Sequence, residues 1–192
     1  MTYLILGLVV FLGVHSVRIV ADGWRTRARR RLGAGTWKAA YSLLSLLGLA
    51  LLIWGFGQAR EQPHVLWLPP VGMRYVAGLL NLVAFVLLAA AYVPGNGIKA
   101  RIHHPMTVGV MVWALAHLAS TGMLAHLVLF GAFLLWAVLC FIAARRRDQA
   151  ATVVYPAGRA SASVLTVALG VAAWASVAFW LHGMLVEVRP FN

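Results

Sequence analysis

Two histidines, His15 and His117, lie inside apolar stretches that are typical of membrane-spanning helices. An ionisable side chain at membrane depth is costly, so it normally faces the protein interior and marks a functional site. Neutral imidazole is a common protein ligand for metals, including haem iron. The two histidines are therefore a candidate metal or cofactor site. The alternative is that each one hydrogen-bonds to a neighbouring helix.

The positions of these histidines along their helices predict similar depths in the bilayer. His15 lies about 18 Å from the start of its helix, and His117 lies a similar distance beyond Pro105. Because the two helices should run antiparallel, both imidazoles come near the bilayer middle. Their offset is about 6 Å, which a helix tilt of about 20° absorbs. This is the geometry expected when two histidines ligate one haem iron between helices, and two separate histidines that each hydrogen-bond to a neighbouring helix stay the alternative.

Four further residues are candidate cofactor contacts: Arg18, Lys99, Arg101 and Trp113. Arg18 follows His15 by one helical turn, and it could bind carboxylates such as haem propionates together with the other two basic residues of this set. Its alternative role is that of an interfacial side chain paired with Asp22. Trp113 stands one turn before His117, where it would wall a planar cofactor or simply fill space between helices.

The composition requires a membrane environment. Hydrophobic residues make up 62% of the 192 residues and charged residues only 10%. A soluble domain usually carries about 25% charged residues, so this chain cannot cover a water-facing surface. Met1 is followed almost at once by an apolar run without basic residues, which predicts a retained helix rather than a cleaved signal peptide. Cys140 is the only cysteine, which excludes an intramolecular disulfide and a thiolate metal cluster.

Six apolar segments are predicted to form transmembrane helices. A helix needs about 20 mostly apolar residues to cross a hydrocarbon core of about 30 Å. The segments are residues 3–21, 38–57, 72–93, 106–121, 123–144 and 161–186. Gly122 separates the fourth, which is the shortest, from the fifth so closely that the two should form a helical hairpin. We therefore expect an all-α fold, an integral membrane bundle of about six transmembrane helices, as a single transmembrane domain over residues 1–192.

The basic residues predict the orientation of the bundle. The net charge is +12, from 16 Lys and Arg against 4 Asp and Glu. Most of the basic residues fall at residues 25–31, 99–101 and 145–147, after the first, third and fifth segments. The other loops hold only Arg60 and Arg74, and Arg189 lies near the C-terminus. By the positive-inside rule the three basic loops are cytoplasmic and both termini are periplasmic. Since topology accounts for the charge, no nucleic-acid partner is expected. The charged segment 145–161 is interpreted as a linker.

The remaining histidines receive no assigned role. His64, His126 and His182 fall near one interface together with Glu61 and Glu187. A metal site there is conceivable but lacks metal-ligand spacing, and interfacial histidines need no special explanation. His103 and His104 precede the fourth segment, where they are either a proton-exchanging group or an ordinary polar pair. No triad, P-loop or dinucleotide motif is present, and four acidic residues are too few for a paired-carboxylate site in the membrane. No catalytic residue is indicated. Glycines within the helices are interpreted as packing positions.

Three stretches carry a family resemblance. They are LGVHSVRIVAD, which contains His15, LGAGTWKAAYSL, and AAYVPGNGIKARIHHPMTVGVMVWALAHL, which contains His117. With these motifs the chain resembles the NnrU family of bacterial inner-membrane proteins over most of its length. The resemblance implies a multi-pass protein of the inner (cytoplasmic) membrane that is associated with denitrification, in which members accompany nitrite and nitric oxide reductases.

The chain is more distantly similar to plant and cyanobacterial zeta-carotene isomerase, an integral membrane enzyme that holds b-type haem. His15 and His117 match the two intramembrane histidines that ligate its iron, and His104 matches the histidine of an HP motif that is not a ligand. The resemblance implies haem b as the cofactor, with iron bound by His15 and His117. It leaves isomerase-like and redox chemistry open, together with a small hydrophobic substrate.

A different class competes with this interpretation. HHPMTVG also resembles the HP-x-Y-x-G element of membrane methyltransferases of the isoprenylcysteine type, which bind S-adenosylmethionine at the cytoplasmic face. Here His103 replaces the arginine before HP, Thr107 replaces the tyrosine, and the later Arg and Glu-Glu motif is reduced to RRRD at residues 145–148. A non-enzymatic assembly factor is the third interpretation. Neither the reaction nor the oligomeric state follows from the sequence.

Overall fold

The computed structural model describes residues 1–191, which are helical apart from short connections. The helices are α1 (Thr2–Val20), α2 (Asp22–Leu32), α3 (Ala34–Glu61), α4 (Met73–Tyr92), α5 (Gly97–Ile102), α6 (Pro105–Ser120), α7 (Leu124–Ala150), α8 (Ala160–Ser176) and α9 (His182–Val186). A π-helical turn, Val177–Leu181, joins α8 directly to α9. No strand is present over the described residues, so the prediction of an all-α fold is confirmed.

The described helices include five that are long and apolar enough to cross a membrane: α1, α3, α4, α7 and the continuous segment from α8 to α9. The sixth predicted span is α6, with 16 residues. At 1.5 Å per residue it is about 24 Å long, somewhat less than a full hydrocarbon core. Large apolar side chains are exposed along all of these helices, as in a protein that meets lipid rather than water. The chain is a helical membrane bundle.

The helices pack in the order α3, α1, α7, α6, α4, α8. The first and last of the described residues 1–191 lie at one end of this bundle, which we call the terminal side, and we call the opposite end the basic side. All Lys and Arg residues except Arg60, Arg74 and Arg189 belong to the basic side or to the helix ends that reach it. The structure therefore agrees with the segregation of charge on which the predicted orientation depends. The hairpin of α6 and α7 is also present, joined by residues 121–123.

Glycines allow α1 and α3 to approach closely. A Cβ added at Gly7 or Gly55 would meet the backbone of the other helix, and one at Gly48 would lie 2.8 Å from a backbone nitrogen of α1. Such close approach is how helices gain packing in lipid, where no hydrophobic drive exists between them. The packing interpretation holds at these positions. Gly13 and Gly131 differ, because a Cβ there would meet nothing within 4 Å.

Two segments differ from the sequence-based expectation. Residues 22–32 were expected to be a basic loop, but they form a separate helix, α2, on the basic side. The charged run 145–150, taken as the start of a linker, instead continues α7 to Ala150, so that the linker is confined to residues 151–159. Arg, Gln and Ala are good helix formers, which explains why the helix extends beyond its apolar part.

Candidate functional site

His15 lies on α1, half-buried between α3 and α7. Its Nδ1 donates a hydrogen bond to the carbonyl oxygen of Phe11, one turn earlier, at 2.7 Å. Because a carbonyl oxygen only accepts, the neutral ring carries its proton on Nδ1 and keeps the lone pair on Nε2. The ring centroid lies 5.4 Å from that of Tyr41 and 6.2 Å from that of Trp136, both edge-on. Nε2 is therefore the atom that could bind a metal.

His117 has the same arrangement on α6. Its Nδ1 donates to the carbonyl oxygen of Trp113 at 2.8 Å, which again leaves the lone pair on Nε2. The Trp113 ring lies 5.1 Å from the imidazole, so this tryptophan does share the helix face of His117. On another side, Phe130 of α7 lies 4.3 Å away and nearly parallel to the imidazole. Aromatic side chains therefore hold this ring in place.

The two histidines contact different levels of α7, the helix that packs against both α1 and α6. His117 contacts Phe130, and His15 contacts Trp136, six residues further along. Six residues correspond to a rise of about 9 Å, against the offset of about 6 Å expected from the sequence. Phe133 lies between these levels and contacts aromatic rings of α1 and α6, at 5.9 and 5.5 Å. The structure brings both imidazoles to one aromatic surface but not into contact with each other.

A second imidazole lies closer to His117. The rings of His117 and His182 are 6.5 Å apart and differ in plane by 23°. His182 follows the π-helical turn, and its Nδ1 donates to the carbonyl oxygen of Val188 at 2.6 Å. Single π-helical turns within α-helices occur frequently at functional sites. Sequence reasoning assigned His182 no role, because its approach to α6 depends on how the end of the chain folds back.

Two buried nitrogens in this region lack a hydrogen-bond partner within residues 1–191. They are Nε1 of Trp136, beside His15, and Nδ1 of His126, whose ring lies 5.0 Å from that of Phe56. Leaving a buried polar atom unpaired costs about 1–3 kcal/mol. Such an atom in a native protein calls for a partner, which a bound molecule or ion can supply. The unpaired indole N–H of Trp136 lies at the level of His15, inside the candidate site.

The basic candidates are not brought together. Arg18 points toward the basic side with its side chain 60% exposed, and its Nε lies 3.9 Å from Asp22. Lys99 donates from Nζ to the carbonyl oxygen of Ala91 at the end of α4, at 3.0 Å. Arg101 is exposed on α5. No hydrogen bond or ion pair over residues 1–191 joins Arg18 to Lys99 or Arg101. Of these three basic residues, only Arg18 lies on the same helix as a candidate iron ligand.

A polar cluster joins α6, α7 and the linker on the basic side. Nε2 of His104 donates to Asp148 Oδ2 at 2.6 Å, and the Tyr155 hydroxyl donates to the same oxygen at 2.6 Å. His103 stacks on Tyr155 with ring centroids 4.0 Å apart, and its Nδ1 contacts the guanidinium of Arg145. The HHP motif and the RRRD motif, which are more than forty residues apart in the sequence, therefore meet at one place.

The backbone at this cluster is strained. His103 has φ +67°, and the N–H of His104 bonds to the carbonyl oxygen of Ile102 at 2.8 Å, which makes a γ-turn of a rare and strained kind. Such strain tends to occur at functional sites. A cavity of about 180 Å³ lies beside it, lined in part by Asp148 and Tyr155. Burial, followed by the hydrogen bond to Asp148, raises the pKa of Tyr155 to about 12.

Asn96 is a structural residue that sequence reasoning did not single out. It is 1% exposed, and its amide nitrogen donates to the carbonyl oxygens of Ala90 at 2.9 Å and Val93 at 2.6 Å. Its side-chain oxygen accepts from the Lys99 N–H at 2.7 Å and caps α5. The signal was an asparagine directly before a short helix, which is a typical N-cap. These hydrogen bonds give the asparagine of the VPGN motif a role in local structure.

Comparison with known proteins identifies the family. Residues 3–190 match the family described as NnrU protein. The chain belongs to the NnrU family. A search of curated proteins and a search of solved structures each found no match. Membership of the NnrU family confirms the resemblance seen in the sequence, and the match covers every helix that contributes to the candidate site.

Proposed function

We propose that this NnrU family protein binds one b-type haem within the membrane and that His15 and His117 would hold its iron. The observation that carries the proposal is the shared state of the two rings, each with Nδ1 tied to a carbonyl oxygen of its own helix. That hydrogen bond fixes the tautomer and orientation of a metal-binding histidine and leaves Nε2 for the metal.

The donor set fits haem better than a bare metal ion. No group of three or more His, Cys, Asp or Glu side chains that could hold a metal is found over residues 1–191. Two imidazoles alone are too few ligands for most metal ions, whereas a porphyrin brings four nitrogens of its own. Aromatic side chains from α1, α6 and α7 offer the apolar walls that a macrocycle needs. The unpaired indole N–H of Trp136 could donate to a bound group.

Each residue would have a defined task in this site. His15 and His117 would bind the iron, Trp113 would pack against the macrocycle, and Arg18 would pair with a carboxylate on the basic side. Bound haem would supply a redox-active iron. We propose a role in denitrification or nitric oxide metabolism, because the sequence resembles proteins that accompany nitrite and nitric oxide reductases. Redox chemistry and isomerase-like chemistry on a small hydrophobic molecule are the two reactions that such an iron would support.

His182 is a competing second ligand. A metal–imidazole bond is about 2 Å long, so two imidazoles on opposite sides of one metal have ring centres about 6 Å apart. The separation of 6.5 Å between His117 and His182 is close to this value, and Nε2 of His182 also has no hydrogen-bond partner in the described chain. The proposal therefore keeps His117 as one iron ligand, and the experiment below decides whether His15 or His182 is the other.

The test is an absorption spectrum of the detergent-purified protein, oxidised and reduced, after expression with added haem precursor. We expect a Soret band and a low-spin six-coordinate spectrum. His117→Ala and His15→Ala should each give a high-spin spectrum or lose the haem, whereas His64→Ala, which alters an exposed histidine outside the candidate site, should not. Loss of the low-spin spectrum in His182→Ala but not in His15→Ala would transfer the second ligand to His182. A parent protein without a Soret band would refute haem binding and favour an assembly factor.

A second candidate function is methyl transfer from S-adenosylmethionine, and one observation favours it. The HHP and RRRD motifs that resemble the methyltransferase element meet beside a cavity on the basic side. Binding of labelled S-adenosylmethionine to the purified protein would test this candidate. We expect no saturable binding if haem binding is the function. Saturable binding that is lost in His104→Ala would favour the methyltransferase.

A further inference from the structure

The helix α2 concentrates positive charge at one edge of the bundle. It contains five arginines and a single acidic residue, Asp22, within 11 residues. Because α1 ends at Val20 and α3 begins at Ala34, α2 lies where the chain leaves and re-enters the apolar part of the bundle. That position is the depth of the lipid headgroups on the basic side.

Three of these arginines converge on one cavity. The cavity has a volume of about 260 Å³ and is lined by Arg25, Thr26, Arg29, Arg30 and Ala34; we call it the arginine cavity. Residues four apart on a helix share a face, which places the side chains of Arg25 and Arg29 on the same side of α2. Gly33, at φ +82°, makes the turn that brings the start of α3 against this face. A bulkier residue would be strained in that conformation.

Acidic side chains do not neutralise this cavity. Asp22 lies 3.6 Å from Arg25 and 3.9 Å from Arg18, so its single charge is shared. Over residues 1–191, no carboxylate is paired with Arg29 or Arg30. Like charges on adjacent positions repel one another, and at the edge of a bilayer they are less screened than in water. An anion in the arginine cavity would offset this repulsion.

The surroundings indicate a lipid as the source of that anion. Trp24 of α2 and Trp37 of α3 pack edge to face, 5.9 Å apart, and Trp24 is about half exposed. Tryptophan is enriched at the membrane–water interface, so this pair places α2 among the headgroups. Guanidinium groups bind phosphate with two parallel hydrogen bonds, and the phosphates nearest to this cavity in a cell are those of the surrounding lipids.

We propose that the arginine cavity binds the phosphate of an anionic phospholipid in the leaflet on the basic side. Arg29 and Arg30 contribute the charge that no carboxylate offsets, and Arg25, which is paired with Asp22, is the third arginine that lines the cavity. A lipid held there would fix the junction of α1, α2 and α3 at one depth in the membrane. This binding is independent of haem, since α2 carries none of the candidate iron ligands.

The experiment measures lipid retention by native mass spectrometry of the delipidated, detergent-solubilised protein titrated with phosphatidylglycerol, with phosphatidylcholine, or with inorganic phosphate alone. The test variant is Arg29→Gln with Arg30→Gln. The matched control is Arg27→Gln with Arg31→Gln, which removes the same charge from the same helix at positions that do not line the cavity. Thermal unfolding in detergent checks that both variants are folded.

We expect the parent to retain phosphatidylglycerol more strongly than phosphatidylcholine. Each arginine near an anionic lipid is worth about a fivefold change in affinity, so the test variant should bind phosphatidylglycerol about 25-fold more weakly. The control should lose much less. Equal losses in both double variants would refute a defined site, and so would equal retention of the two lipids. Inorganic phosphate that binds as well as the lipid would overturn the lipid assignment, because the acyl chains would then contribute nothing.

Discussion

Replacing Gly48 by alanine should separate α1 from α3 close to His15. The added Cβ would lie 2.8 Å from the backbone nitrogen of Phe11, whereas ordinary contact begins at 3.4 Å. The helices must therefore move apart by about 0.6 Å, and a gap of that size forfeits a quarter to a half of each nearby dispersion contact. Overpacking of this kind costs about 1–3 kcal/mol. Phe11 also accepts the hydrogen bond that orients His15, so the displacement reaches the candidate ligand.

The assay is unfolding of the detergent-solubilised protein by a denaturing detergent, followed by circular dichroism. The control is Gly13→Ala on α1, the other helix of this pair, where the added Cβ meets nothing within 4 Å. Alanine is about 1 kcal/mol better than glycine in a helix, so the control should be unchanged or slightly more stable. We expect Gly48→Ala to be less stable than the control by at least about 1 kcal/mol, the lower end of the overpacking cost. Two variants of equal stability would refute the close approach of α1 and α3 at this position.

Four further predictions follow from the same structure. Reporter fusions at Gly33 and at Glu61 should report the cytoplasm and the periplasm respectively, and the same compartment for both would contradict the orientation. Asn96→Ala removes a helix cap and leaves two buried carbonyl oxygens unpaired, so the free energy of unfolding should fall by about 2–4 kcal/mol. A fall of less than about 0.5 kcal/mol would mean that the cap is dispensable. Ultraviolet titration should show a phenolate that ionises near pH 12 and is absent in Tyr155→Phe. Since that pKa is raised on folding, the stability it contributes is complete below pH 10 and is lost as the pH rises through 12. Arg18→Ala should weaken retention of haem by about tenfold or more, as expected for one charge-assisted hydrogen bond; retention equal to that of the parent would leave Arg18 as an interfacial residue.

The fold was predictable because lipid imposes a simple rule on the sequence. Every backbone polar group in the membrane must be bonded within its own helix, so long apolar runs mark the helices with little ambiguity. The six predicted segments correspond to α1, α3, α4, α6, α7 and the segment from α8 to α9. What the apolar pattern could not show was helix outside the membrane. α2 and the last turns of α7 are charged, so they carry no apolar signal and were taken for loops.

The candidate site was less predictable, because it depends on which helices are neighbours. Counting residues from helix ends gave a depth for His15 and for His117, and both do lie on helices that pack against α7. The contact between His117 and His182 could not be derived in that way. It requires the π-helical turn, which adds a residue and so rotates the following segment by about 100°. Nor could the meeting of His104 with Asp148 be derived, since the two belong to different segments of the chain.

The aromatic residues of α7 explain how one helix can serve two histidines. Phe130, Phe133 and Trp136 recur every three residues, whereas an α-helix turns once in 3.6 residues, so each ring is displaced by about 60° around the axis from the one before. The row therefore winds from the side that faces His117 on α6 to the side that faces His15 on α1. Phe133 stands at the centre and contacts both neighbouring helices. A molecule that contacts both histidines must lie along this row. Replacement of Phe133 by a small residue should therefore disturb the surroundings of His15 and of His117 together. A joint effect of this kind distinguishes one shared site from two separate ones.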